Sequence, residues 1–262
     1  MTVRVLIVDD SAFFREVLRA ELAACPEVEV VGEAGDGARA IALARTLRPD
    51  VVTMDVVLPL VGGLEAIRAI MAERPTAIVV LSRLVGHDAR LALDAMAAGA
   101  LELIEKPIAG FEAASVRRLV ELLTTVAAGR PVAAAASAVV PRLPAAARGR
   151  IVGVVASTGG PQLLRGLLGA LPASYPLPIA IVQHTTAGFV APLVSWLADA
   201  CALPVLVAAA GQRLAGGQVV VAPDDHHLVI ERDGRVRLDD GPREAGHRPS
   251  GSALLRALAR GY

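Results

Sequence analysis

Asp9 and Asp10 stand side by side near the start of the chain, and Asp55, Ser82 and Lys106 follow at wide spacing. Each closes or shortly follows a run of apolar, strand-favouring residues: Val3–Val8, Val51–Asp55, Ala77–Ser82 and Ala100–Ile104. In an open parallel α/β sheet, ligands bind in the crevice outside the carboxyl ends of the strands. A strand order of 2-1-3-4-5 makes the first and third strands neighbours, so the three carboxylates converge. Unscreened carboxylates that close repel one another unless a cation joins them, and an all-oxygen donor set suits Mg²⁺. Singly, each residue has an ordinary use. A strand-end Asp such as Asp10 caps helices, Ser82 could end a turn, and Lys106 could be a solvated side chain. Their occurrence in order, at successive strand ends, points to one shared site.

A second set follows. The segment Val154-Val155-Ala156-Ser157-Thr158-Gly159-Gly160-Pro161 runs from an apolar strand into a helix. Backbone N–H groups at a helix N-terminus stabilise an anion, and the glycines let a substrate approach the backbone. A serine nucleophile with an oxyanion site fits this arrangement. A phosphate loop fits less well, because the Gly-Lys-Ser/Thr ending is missing and Val155 breaks any G-x-G-x-x-G match. An N-capping Ser157 is the plain alternative. Gln183-His184 closes the next strand, which would place His184 beside Ser157 as a general base. His226-His227 could suggest a metal pair, but adjacent residues on a strand face opposite ways.

These residues require a scaffold that alternates strands and helices. Strands are expected at Val3–Val8, Val28–Glu33, Val51–Asp55, Ala77–Ser82 and Ala100–Ile104. Helices are expected at Ser11–Ala24, Gly37–Leu47, Gly63–Met71, Ala89–Ala98 and Glu112–Ala127. Parallel strands need crossover helices, so this half reads as one doubly wound five-stranded sheet over residues 1–127. Residues 128–150 are rich in Ala, Pro and Arg without periodicity and read as a linker. From Ile151 the alternation resumes, with strands expected at Ile151–Ala156, Ile179–Gln183 and Pro204–Ala208. Helices are expected at Gln162–Leu171, Val190–Ala200 and Ser250–Ala259, and a hairpin region turns at Asp233-Gly234. Residues 151–262 thus read as a second α/β parallel-sheet domain.

The first half resembles the receiver domain of two-component response regulators. The resemblance rests on Asp9-Asp10, Thr53-Met54-Asp55 with Pro59 and Gly63, Ser82, and Lys106-Pro107. It implies that a histidine kinase phosphorylates Asp55. It further implies that Asp10, Asp55 and the Val57 carbonyl hold Mg²⁺, with Asp9 assisting through water. Lys106 and Ser82 would bind the phosphoryl oxygens. Leu58, Gly62 and Leu103 depart from the usual receiver pattern and bear on switching rather than on the phosphoryl chemistry.

The second half resembles the catalytic domain of the chemotaxis-specific protein-glutamate methylesterases. The matching pieces are Ala156 to Pro161, Val182-Gln183-His184 with Gly188-Phe189, Val221-Ala222-Pro223 with His227-Leu228, and Gly246 to Ser250. The order of receiver, linker and Ser-His hydrolase is itself characteristic. The resemblance implies that Ser157 is the nucleophile, His184 its base, and Thr158 a neighbour of the oxyanion site, with no cofactor at the esterase site. It implies hydrolysis of glutamyl methyl esters on methyl-accepting chemoreceptors, with deamidation of receptor glutamines in many members. Val155 stands where the family usually has Gly, and Thr185-Thr186 replace Met-Pro. The family's triad Asp lies in a Thr-Gly-Met-Gly-x-Asp-Gly type stretch, and nothing like it follows His184 here. The catalytic domain is therefore expected to lack its C-terminal part and to leave apolar surface uncovered.

Composition narrows the classes. The 262 residues carry 26 basic and 26 acidic side chains, which argues against a broad nucleic-acid footprint. Hydrophobic residues make up 54% and mean hydropathy is +0.55, which excludes a largely disordered chain. No apolar stretch reaches the roughly 18 residues a membrane helix needs, and the N-terminus has no signal-peptide pattern. Cys25 and Cys201 suggest neither a disulfide framework nor zinc. A cytoplasmic enzyme of two-component chemotaxis is expected, meeting a sensor histidine kinase and chemoreceptors but neither nucleic acid nor the membrane interior. The rival expectation is a non-catalytic phosphoreceiver whose second domain only docks on a partner.

Overall fold

The structure is a computed structural model describing residues 2–82, 87–106, 112–129 and 150–261. It divides into two compact units, Met1–Ala134 and Ala135–Tyr262. Most of the expected linker, and Pro107, lie outside the described residues. Among the described residues no helix is long and apolar enough to cross a membrane.

The first unit contains β1 (Val3–Val8), α1 (Ala12–Ala23), β2 (Val28–Ala34), α2 (Gly37–Leu47), β3 (Val51–Met54), α3 (Gly63–Glu73), β4 (Ala77–Ser82), α4 (His87–Ala97), β5 (Glu102–Glu105) and α5 (Ala113–Ala128). The sheet order is β2-β1-β3-β4-β5, and the pairs are parallel. The centre of the sheet explains the unbroken apolar runs. Every residue of β3 and β4 is buried, whereas the edge strands β2 and β5 are only partly so. A strand covered on both faces has no solvent side on which to place polar residues. One face packs Val5, Ile7, Val51 and Val79 against Leu18 and Leu22 of α1 and Leu119 and Leu123 of α5.

Helix starts follow local chemistry. Ser11 rather than Asp10 caps α1, its Oγ accepting the Phe14 N–H at 3.3 Å. Asp36 caps α2 by accepting from Arg39 N–H at 2.8 Å. At Gly63, the first residue of α3, an added Cβ would overlap the Asp55 carbonyl oxygen and approach Val56 Cα to 2.7 Å. Both obstacles are backbone and cannot swing aside. Gly63→Ala is expected to destabilise the first unit by about 1–3 kcal/mol, the usual cost of overpacking. A denaturant midpoint equal to that of the parent would contradict this packing.

The second unit contains β6 (Val152–Ala156), α6 (Gly160–Gly169), β7 (Ile179–Gln183), α7 (Val190–Ala198), β8 (Val205–Val207), β9 (Val219–Val221), β10 (His227–Ile230), β11 (Val236–Asp239) and α8 (Gly251–Gly261). A parallel sheet runs β6-β7-β9-β8, and β10 and β11 form an antiparallel pair. Ala180 and Val182 of β7 face a core shared with Leu228 and Ile230 of β10, Val236 of β11 and Leu254 of α8. Alternation turns Ile179, Ile181 and Gln183 to the opposite face. Leu164, Leu168, Leu193 and Trp196 of α6 and α7 are buried, and the Arg165 guanidinium lies 4.4 Å from the Trp196 ring. Val155 on β6 is 42% exposed and Leu255 on α8 is 50% exposed.

Candidate functional site

In the first unit, sheet hydrogen bonds wire the polar strand ends together. Val8 of β1 pairs with Met54 of β3, and Asp55 N–H donates to the Val8 carbonyl at 2.9 Å. Asp9 and Asp55 therefore follow directly on paired residues. At the other side Ser82 pairs with Glu105, and Lys106 N–H donates to the Ser82 carbonyl at 2.9 Å. The Lys106 ammonium lies 2.6 Å from Asp9 Oδ2 and also donates to Asp55 Oδ2. The remaining oxygen of each carboxylate accepts a backbone N–H, from Ser11 to Asp9 at 2.9 Å and from Val57 to Asp55 at 3.0 Å. Asp9, Asp55 and Ser82 are buried, and Asp10 is exposed.

Burial pushes the Asp55 carboxyl above its ordinary range, opposed by the Lys106 ammonium and the Val57 N–H. Burial would lower Lys106, but Asp55 and Asp9 together outweigh it and hold its proton more tightly than usual. One oxygen each from Asp9, Asp10 and Asp55 lies within 4.8 Å of the others. These hard donors, two of them on buried residues, fit a divalent cation such as Mg²⁺.

In the second unit, the register pairs Ala156 with Gln183, and His184 N–H donates to the Ala156 carbonyl at 3.0 Å. Ser157 and His184 thus leave neighbouring strands at the same level. Ser157 is exposed. It is not a helix cap. Gly159 holds that position at φ 73° with no side-chain cap, and Pro161 sits in the first turn. This start, two residues before the expected Gln162, leaves the Ser157 hydroxyl free of a capping bond. His184 is half-buried, and its Nε2 is buried without a hydrogen-bond partner. His226 and His227 make separate local bonds. His226 Nδ1 donates to the Asp224 carbonyl at 2.7 Å, and His227 Nε2 to that of Pro242 at 3.0 Å.

Residues 5–116 match the response regulator receiver domain family, and residues 152–262 match the CheB methylesterase family. The chain is 46% identical, over 99% of its length and 79% of the relative's, to protein-glutamate methylesterase/protein-glutamine glutaminase 3 of Anaeromyxobacter dehalogenans. It is 45% identical to the protein of that name from Myxococcus xanthus, over 99% of this chain and 74% of that one. The chain belongs to this methylesterase/glutaminase family. Among solved structures, the response regulator domain of Thermotoga maritima CheB is 36% identical over 50% of this chain and 100% of that one, with a TM-score of 0.46. The CheB methylesterase catalytic domain from the same organism is 35% identical over 43% of this chain, with a TM-score of 0.41. The match spans 61% of that catalytic-domain chain.

Within the methylesterase domain the unusual Val155 is accommodated by Gly251, where a Cβ would overlap the Val155 side chain. Thr185 turns its hydroxyl inward on the loop, donating to the Thr186 carbonyl at 2.9 Å. Asp224 Oδ2 accepts the Gly188 N–H at 3.0 Å and so anchors the loop that follows His184.

Two residues of this methylesterase gained no role from sequence. Gln183 is 2% exposed, and its Nε2 donates to the carbonyls of both Ser157 (2.9 Å) and His184 (2.8 Å). One amide group thereby ties the two strand ends together. Gly160 makes room for it, since a Cβ there would overlap Gln183 Oε1. A buried amide ending an apolar strand was the available signal. In the receiver domain, Arg15 Nη1 donates to the carbonyls of Asp9 (2.7 Å) and Asp10 (3.2 Å) and fixes the backbone of the acidic pair. An Arg one helical turn after such a pair was its signal.

Proposed function

We propose that this chain is a phosphorylation-activated hydrolase that removes methyl esters from glutamyl residues of methyl-accepting chemoreceptors in the cytoplasm. Deamidation of receptor glutamines, also named for its relatives, is the companion reaction. The observation that carries this reading is similarity to such enzymes over 99% of this chain, with Asp9 and Asp55, and Ser157 and His184, at the ends of paired strands.

In the receiver, a chemotaxis histidine kinase supplies the phosphoryl group and Asp55 is the acceptor. Asp9, Asp10 and Asp55, with the Val57 carbonyl, are the groups that would hold Mg²⁺. When bound, that ion neutralises charge on the incoming phosphoryl oxygens. Lys106 contributes a second positive charge, and the Ser82 hydroxyl would hydrogen-bond the phosphoryl group.

At the esterase site, Ser157 Oγ attacks the ester carbonyl while His184 Nε2 accepts its proton. The oxyanion forms at the N-terminal end of α6, beside Thr158. Methanol departs with the proton carried by His184. Water then attacks the acyl-serine, again giving a proton to His184, and regenerates the Ser157 hydroxyl.

The base must be neutral to accept a proton. Burial first, and the neighbouring His247 second, push the His184 pKa below the ordinary value of 6.5. Acylation of Ser157 by p-nitrophenyl acetate is therefore expected to keep more than half its maximal rate at pH 6.5, with the midpoint of its fall below that pH. A half-maximal rate above pH 6.5 would contradict this assignment of the base.

The non-catalytic reading is favoured by one observation. Asp224, Asp225, Asp239 and Asp240 are engaged with Gly188, Arg248, Arg237 and His226, not with the His184 ring. Methanol release from methyl-labelled receptor membranes separates the readings. The hydrolase reading expects release above the protein-free rate, and a rate equal to it would support a docking role.

A further inference from the structure

The His184 imidazole has a neighbour far away in sequence. The ring of His247 lies parallel to it, with centroids 4.0 Å apart and 2° between the planes. We propose that His247 is a positioning residue for the base, fixing the plane of the His184 ring and with it the direction of its buried Nε2. This proposal rests on the reading of His184 as the base.

The first support is that the backbone at His247 is held in place without help from His184. Its backbone exchanges two hydrogen bonds with Glu244, Glu244 N–H to the His247 carbonyl at 3.1 Å and His247 N–H to the Glu244 carbonyl at 2.9 Å. Ala245 and Gly246 make the turn between them, at φ 48° and 84°. The Glu244 carboxylate is anchored by the Ser250 hydroxyl at 3.0 Å and by Arg256. On the other side, the Arg248 guanidinium donates to both Asp225 oxygens (3.0 and 2.8 Å) and to the carbonyls of Asp240 (2.9 Å) and Gly241 (3.0 Å). Behind the loop, buried His227 accepts the Ser250 N–H at 3.1 Å. A segment tied at so many points fixes the backbone that carries His247, whose exposed ring meets the His184 ring through its face.

The second support is what this platform does for the base. Gln183 fixes the His184 carbonyl, and the Ala156 carbonyl fixes its N–H. These bonds set the backbone but leave the side-chain torsions open. No hydrogen bond holds Nε2. A parallel ring against one face restricts those torsions without using either ring nitrogen. Aromatic rings stack in this manner through their flat faces, so another aromatic side chain can substitute. A general base misplaced by about 1 Å can lose about 10²-fold in rate, which makes such restraint worth having.

The test compares the whole chain with His247→Ala, His247→Phe and Ser157→Ala, using p-nitrophenyl acetate as the acyl donor and NMR of the histidine ring protons. In His247→Ala, the acylation burst is expected to slow roughly tenfold or more with little change in KM. The His184 ring protons should lose the displacement caused by the adjacent ring. His247→Phe should restore most of the rate and retain the displacement. A parent-like burst in His247→Ala, with Ser157→Ala silent, would overturn the positioning role whether or not the NMR signals move. A parent-like burst in Ser157→Ala would overturn the reading of the esterase site, and the role of His247 with it.

Discussion

Asp55→Asn is expected to reduce phosphoryl labelling of the chain to background. The acceptor must be a carboxylate oxygen, because an amide has no charged oxygen to attack phosphorus. The surroundings are arranged for that attack. Lys106 sits against both Asp9 and Asp55, and the Val57 N–H orients the Asp55 carboxylate. Asn keeps the acceptor for the Val57 N–H, and Lys106 keeps its ion pair with Asp9. The variant should therefore fold, and loss of label would report chemistry rather than unfolding. Incubation with labelled acetyl phosphate and Mg²⁺, followed by counting protein-bound label, makes the measurement. Labelling equal to that of the parent would remove Asp55 from the acceptor role and leave the acidic cluster unexplained.

Ser157→Ala is expected to have the largest effect on the second unit. Loss of the serine nucleophile of a complete Ser-His-Asp triad costs on the order of 10⁶-fold in kcat, and the drop is smaller where the acid is missing. Ser157 is exposed and caps no helix, so its truncation should change stability by no more than about 0.5 kcal/mol. Few substitutions separate catalysis from folding so widely. The burst of p-nitrophenol on mixing with p-nitrophenyl acetate should vanish while the unfolding midpoint stays in place. A remaining burst would mean that some other group is acylated.

Much of the first unit can be read from its sequence, for a physical reason. Parallel strands buried on both faces appear as unbroken apolar runs, so a polar residue closing such a run stands out. Asp9, Asp55 and Ser82 are visible in this way, and the order 2-1-3-4-5 brings them together. The adjacency of Ser157 and His184 follows from the same logic, because consecutive parallel strands often pair. Helix starts are less legible. Asp10 and Ser157 both have cap-forming side chains, yet Ser11 and Gly159 take the cap positions. That choice is made by the backbone geometry of the turn, which residue type constrains only weakly.

The supports of the site are harder to see. Gln183 can be singled out as a buried amide, but its two hydrogen bonds to the Ser157 and His184 carbonyls depend on how β6 and β7 lie together. The stack of His247 on His184 depends on a loop pinned by Arg248, Asp225 and Glu244, all distant from His184 in sequence. No periodicity encodes a contact of that kind. The motif Gly246-His247-Arg248-Pro249-Ser250 marks the loop, and only the fold shows which ring it faces.

The proposed phosphorylation gating is tested most directly by one assay: methanol release from methyl-labelled chemoreceptor membranes, with and without acetyl phosphate and Mg²⁺. The parent chain should release more methanol when the phosphodonor is present. Asp55→Asn should lose that increase, and Ser157→Ala should release none. Release that ignores the phosphodonor, or that persists in Ser157→Ala, would contradict a phosphorylation-gated hydrolase whose nucleophile is Ser157.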